Sequence, residues 1–87
     1  MHGGADMIDR HAYLKDKAAG VGLDLIKAPY SVNQDAEVYV LGGGKHWVGV
    51  SMSGLELLQN ATEASIKNLM DARFNASLQT LNKFSAA

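Results

Sequence analysis

The hydrophobic positions change their spacing twice along the chain. Between Asp6 and Gly22, Met7, His11, Leu14, Ala18 and Val21 recur at steps of 4, 3, 4 and 3, which puts them on one face of a helix. Asp9, Arg10, Lys15, Asp16 and Lys17 fall largely on the other faces. Asp6 is a competent N-cap, and Gly20 and Gly22 supply a stop. From Leu23 to Val32 the pattern becomes extended: Ile26, Ala28, Tyr30 and Val32 share one parity, Leu23 and Leu25 the other. Pro29 has no backbone donor, so this first strand, at about residues 23–28, belongs on a sheet edge. Asn33-Gln34-Asp35 carries turn chemistry.

Two β-prone runs follow, residues 36–41 and 46–52, around Gly42-Gly43-Gly44. A three-residue loop pairs Val40 with His46, Tyr39 with Trp47 and Val38 with Val48. Ala36, Val38, Val40, Val48 and Val50 then share a face, and Tyr39 and Trp47 lie side by side on the other. A two-residue loop sets Val38 opposite Trp47 and Glu37 opposite Val48. The three-residue loop is therefore expected, with the valine face as the core face.

The second helix opens with agreeing signals. Ser53 and Glu56 have the spacing of a capping box, and Met52 with Leu57 that of a hydrophobic staple. Projected at 100° per residue, Leu57, Leu58, Ala61, Ala64, Leu69 and Ala72 gather on one side. Leu55, Ile66, Met70, Phe74, Leu78, Leu81 and Phe84 gather nearly opposite. The first stripe is expected against the sheet. An unbroken helix to Phe84 would be roughly 45 Å long, against a radius of gyration of about 12 Å for a domain of this size. The tail is thus expected either to fold back near Asn75 or to leave the domain.

Composition narrows the classes. Length (87 residues) allows one domain, with residues 1–5 as a leader and residues 6–87 as the folded part. Eight basic against nine acidic residues argue against a protein that coats nucleic acid or anionic membrane. The absence of cysteine excludes disulfides and thiolate metal sites and suits the cytoplasm. The N-terminal residues carry no signal-peptide pattern, and no apolar run reaches the ~18 residues of a membrane span.

Gly42-Gly43-Gly44-Lys45-His46 lacks the spacing of a phosphate loop and joins two strands, so no helix N-terminus serves it. Tyr39, Lys45, His46 and Trp47 form a secondary candidate contact, since aromatics beside positive charge stack nucleic-acid bases. His2, His11 and His46 have no metal-ligand spacing, and no serine stands in a nucleophile context; no catalytic residue, metal or cofactor is expected. Residues 55–64, Leu-Glu-Leu-Leu-Gln-Asn-Ala-Thr-Glu-Ala, follow a hairpin and loosely resemble the helix of the HicB-type antitoxin family over about a dozen residues. The family's Pro-rich turn before the helix and strand after it are not visible here, and the first helix is extra. The resemblance implies a small regulatory protein that binds another protein.

The expected fold is α+β: an N-terminal helix, a two- or three-stranded antiparallel sheet with a central hairpin, and a long C-terminal helix. The expected function is a non-enzymatic protein-interaction module, homodimeric, regulatory or inhibitory, of phage or mobile-element type. Residues 70–87 are its expected interaction helix, with Ile66, Met70, Phe74, Leu78, Leu81 and Phe84 as the interface. A nucleic-acid module using the hairpin and a subunit of a larger assembly are the alternatives.

Overall fold

The computed structural model describes residues 8–28 and 35–86. Its elements are α1 (Arg10–Gly20), β1 (Asp24–Lys27), β2 (Ala36–Gly42), β3 (Trp47–Ser53), α2 (Gly54–Gln59) and α3 (Glu63–Ala86). The fold is α+β, with an antiparallel sheet in the order β1-β2-β3. The Asp6 cap and the 1–5 leader lie outside the described residues, as does Pro29. The cap of α1 is Asp9, whose carboxylate accepts the Ala12 amide at 3.1 Å. At the other end Gly22 takes φ +74°. There the Leu23 and Gly22 amides return to the Ala18 and Ala19 carbonyls at 2.9 and 3.1 Å, a Schellman stop that needs glycine.

The hairpin register differs from the three-residue expectation. Gly42 pairs with Trp47, Leu41 with Val48, Tyr39 with Val50 and Val38 with Ser51, so the loop is the four residues Gly43–His46. Gly42 is a strand residue. The Trp47 indole crosses it so closely that an added Cβ would come within 2.6 Å of the ring, and the indole N–H closes the tip on the Gly44 carbonyl at 3.1 Å. This register turns the larger residues, Tyr39, Leu41, Val50 and Met52, to one side together with Leu25. All five are buried. The expected valine face is accordingly split: Val48 and Val50 face the helices, whereas Val38 and Val40 face away.

The helix break also moves. α3 runs through Asn75 without interruption, and the chain bends instead at residues 60–62. Asn60 ends α2 by donating both its backbone and side-chain N–H to the Glu56 carbonyl, at 3.0 and 2.8 Å. Thr62 then starts α3 by accepting the Ser65 amide on its hydroxyl at 3.1 Å. At the start of α2 the capping box is present in both directions, Glu56 N–H to Ser53 Oγ and Ser53 N–H to Glu56 Oε1.

The bend changes which side of the long helix meets the sheet. Ile66, Met70, Phe74, Ser77 and Leu81, at steps of 4, 4, 3 and 4, are all buried, while Leu58 is 78% exposed and Ala61 is on the surface. The expected contact through Leu57, Leu58, Ala61 and Leu69 is therefore replaced, with Leu57 and Leu69 left at its margin. Leu14 and Ala18 of α1 complete the same core. Both long helices thus lie on one side of the sheet. The smallest dimension of the molecule, 17 Å, has room for one helix layer on one sheet and nothing more.

Candidate interaction surface

Of the six residues expected to form an interface, four are inside the chain's own core: Ile66 and Met70 at 0% exposure, Phe74 at 3% and Leu81 at 5%. Leu78 packs at the edge of that core. Phe84 alone is well exposed, and its ring stacks on His46 at 5.5 Å. These side chains are covered by α1 and the sheet from two directions and are not free to form an interface. The second candidate set is divided as well. Tyr39 is buried under the helices, whereas Lys45, His46 and Trp47 stand at the exposed tip, with Trp47 on the opposite face. Tyr39 and Trp47 therefore do not form a shared platform for stacking bases.

What the described elements leave uncovered is the other side of the sheet. By register its side chains fall in rows: Ile26–Val40–Gly49, then Asp24–Gly42–Trp47 toward the tip. Val38–Ser51 follows toward the far end, with Ala28 beside Val38. Ile26 and Trp47 are 43% and 41% exposed, Val38 and Val40 are half-buried, and none of the four belongs to the core. Asp24 is the one charged side chain in these rows. Such a face, apolar and uncharged at its centre, has the character of a contact surface. Sequence reading missed it because the choice of loop length sent Val38 and Val40 to the core. A four-residue loop, tested by the size of the residues it gathers, is the signal that could have found it.

The sheet's edges are treated differently from its face. In β3 the backbone groups of Gly49 and Ser51 turn away from β2. Their carbonyls are taken by side chains from α3, Ser77 Oγ at 2.7 Å and an Arg73 guanidinium N–H at 3.1 Å. Arg73 is itself held by Glu56, whose carboxyl lies below its usual range because of the Ser53 amide and the Arg73 bond. On the opposite edge, β1 is four residues long and the Asp24 carboxylate accepts the outward Leu25 amide at 2.8 Å. A short strand on one edge and occupied carbonyls on the other oppose strand addition.

The remaining polar groups brace the helices. Arg10 pairs with Glu37, Nε to Oε1 at 2.7 Å and a second N–H to Oε2, and the Tyr39 hydroxyl donates to Glu37 at 3.0 Å. These bonds, from Arg10 above all, hold the Glu37 carboxyl below the usual range despite its burial. Burial, with Glu37 alongside, pushes the Tyr39 phenol up. With His11 and Lys27 this group lines a cleft of about 260 Å³. The His11 ring lies tilted against Tyr39, centroids 5.4 Å apart, and its Nε2 has no hydrogen-bond partner among the described residues. Tyr13 and Lys17 of α1 reach Asp71 of α3 at 2.9 and 3.0 Å, tying the two helices together.

Arg10, Glu37 and Tyr39 satisfy one another, and no nucleophile with an adjacent base is among them. Among the described residues no three His, Cys, Asp or Glu side chains converge as a metal site requires. No helix there is long and apolar enough to cross a membrane. Comparison with known proteins finds no family model, no curated protein and no solved structure that matches this chain.

Proposed function

We propose that this chain is a non-enzymatic protein-interaction module, a small regulatory or inhibitory protein of the cytoplasm that binds through the uncovered face of its sheet. The observation that carries this reading is the set Ile26, Val38, Val40 and Trp47, exposed or half-exposed on a face that no helix of the described residues covers. Full burial of one such side chain is worth roughly 1.5–3 kcal/mol, so four together offer a substantial drive for association. The capped edges support a face contact over strand addition. The absence of cysteine and the size of the chain suit a reducing compartment and a binding role.

The test is affinity capture from cells that make the protein, comparing the wild type with Val40→Lys. Val40 lies outside the core, so the variant should fold, as far-UV circular dichroism would verify. The expected result is a protein held by the wild type, a second copy of this chain included, and lost from the variant. Equal capture by both would overturn the assignment of the face.

A further inference from the structure

In the central row of the uncovered face one bulky and one small position, Ile26 and Gly49, exchange places under a two-fold rotation about β2. We propose that the occupant of this face is a second copy of this chain, seated face to face about an axis parallel to β2. This rests on the reading of the open face as a protein contact and commits it to one partner. A rotation of this kind brings β1 of one copy over β3 of the other and leaves β2 over β2. In the central row, Ile26 of one copy then meets Gly49 of the other, and Val40 meets Val40. In the next row Val38 meets Val38, with Ala28 over Ser51. A knob of one protomer enters a gap of its partner twice, as an isologous contact requires. In the row nearest the tip, Asp24 meets Trp47 and Gly42 meets Gly42.

Aligned sheets pack with their strands within about 30° of one another, which this axis satisfies. The alternative of pairing two edges is opposed on both sides, by Ser77 and Arg73 on β3 and by Asp24 on β1. The extent of the face sets the strength. Two seven-residue strands and the four-residue β1 span at most roughly 23 by 14 Å, a smaller footprint than the ~800 Å² per partner of a standard interface. The pair is therefore weak and reversible, and its population depends on concentration.

Gly49 makes the idea separable from folding. It has no positive φ, and an added Cβ there meets nothing within 4 Å, so a larger residue is accommodated in the single chain. Sedimentation equilibrium of the full chain from about 5 to 500 µM should show the wild type moving from monomer to dimer. Gly49→Ile sets bulk against bulk and should weaken dimerisation at least tenfold with an unchanged urea midpoint at low concentration. The double variant Ile26→Ala, Gly49→Ile exchanges knob and gap and should recover most of the loss. A wild type that stays monomeric to 500 µM overturns the pairing, as does a Gly49→Ile chain that dimerises like the wild type. If the chain is monomeric yet captures a different protein in a Val40-dependent way, the pairing falls while the protein-contact reading stands. If neither occurs, both fall.

Discussion

Adjacent residues on β2 should respond very unequally to the same truncation. Leu41 is fully buried between the sheet and the helices, and Val50 on the neighbouring strand is 1% exposed. Removing the Leu41 side chain to alanine should cost about 2–5 kcal/mol, the transfer term plus the cavity. Val50→Ala should cost roughly 1.5–3 kcal/mol. Val40, one residue from Leu41 on the same strand, points to the open face, and Val40→Ala should cost under about 1 kcal/mol. Against a total stability of roughly 4–13 kcal/mol for a chain of 87 residues, the Leu41 loss is large. Urea unfolding followed by far-UV circular dichroism, at a few micromolar so that association contributes nothing, measures all three. The three-residue loop would place Val40 and Val50 on one face and make their costs similar. A Val40→Ala loss equal to that of Val50→Ala would therefore refute the register and the open face built on it.

Three further outcomes follow from single contacts. Gly42→Ala should destabilise the hairpin by about 1–3 kcal/mol, because its Cβ would lie 2.5 Å from the His46 carbonyl and 2.6 Å from the Trp47 ring. Gly44→Ala, with nothing within 4 Å, is the matched control, and equal urea midpoints for the two would contradict the tip geometry. Ser77→Ala removes a buried hydroxyl and its bond to the Gly49 carbonyl, at a cost of about 1 kcal/mol. Amide exchange in β3 should quicken with it; unchanged protection there would argue against the cap. Glu37 and Asp71 are both held below the ordinary carboxylate range in the folded chain, Glu37 by Arg10 and Asp71, against its burial, by Lys17 and Tyr13. Their stabilisation is complete above the unfolded value and is lost as pH falls below about 4.5 through the folded values. Urea midpoints should drop over that window, and Glu37→Gln should flatten the drop; an identical slope would remove Glu37 as a contributor.

The elements were legible wherever a local device defines them. The Ser53–Glu56 box marks the start of α2 by its residues alone, and Gly20 and Gly22 mark the end of α1. The edge position of β1 follows from Pro29. Registration was not legible, because it depends on which set of side chains the helices cover. A valine set is more uniform, but the Tyr39–Leu41–Val50–Met52 set fills more volume under two helices. The bend at residues 60–62 was hidden for a related reason: Asn60 and Thr62 act as caps without any glycine or proline nearby. Both effects propagated to the candidate site. With α3 read as continuous with α2, its Ile66–Leu81 face looked surplus, and with the hairpin shifted, the truly uncovered face looked like core.

The contrast between edges and face is the strongest physical argument about what this chain is for. An unpaired strand edge invites any extended chain, so folds that must avoid promiscuous pairing cap or shorten it. Here Arg73 reaches the Ser51 carbonyl while Glu56 fixes its guanidinium, and Ser77 is buried to reach the Gly49 carbonyl. Glu56 in turn belongs to the capping box of α2, so the helix start and the edge cover share one carboxylate. A chain that needed only to be a stable monomer could have placed polar residues along the outer face at no cost to the core, since Val38, Val40 and Ile26 contribute nothing to it. It keeps them apolar, with Gly49 and Ser51 leaving gaps beside them. With the Gly49 and Ser51 carbonyls and the Leu25 amide taken, contact through the open face is favoured over strand addition, and the Ile26–Gly49 pairing is what the proposed second copy would match.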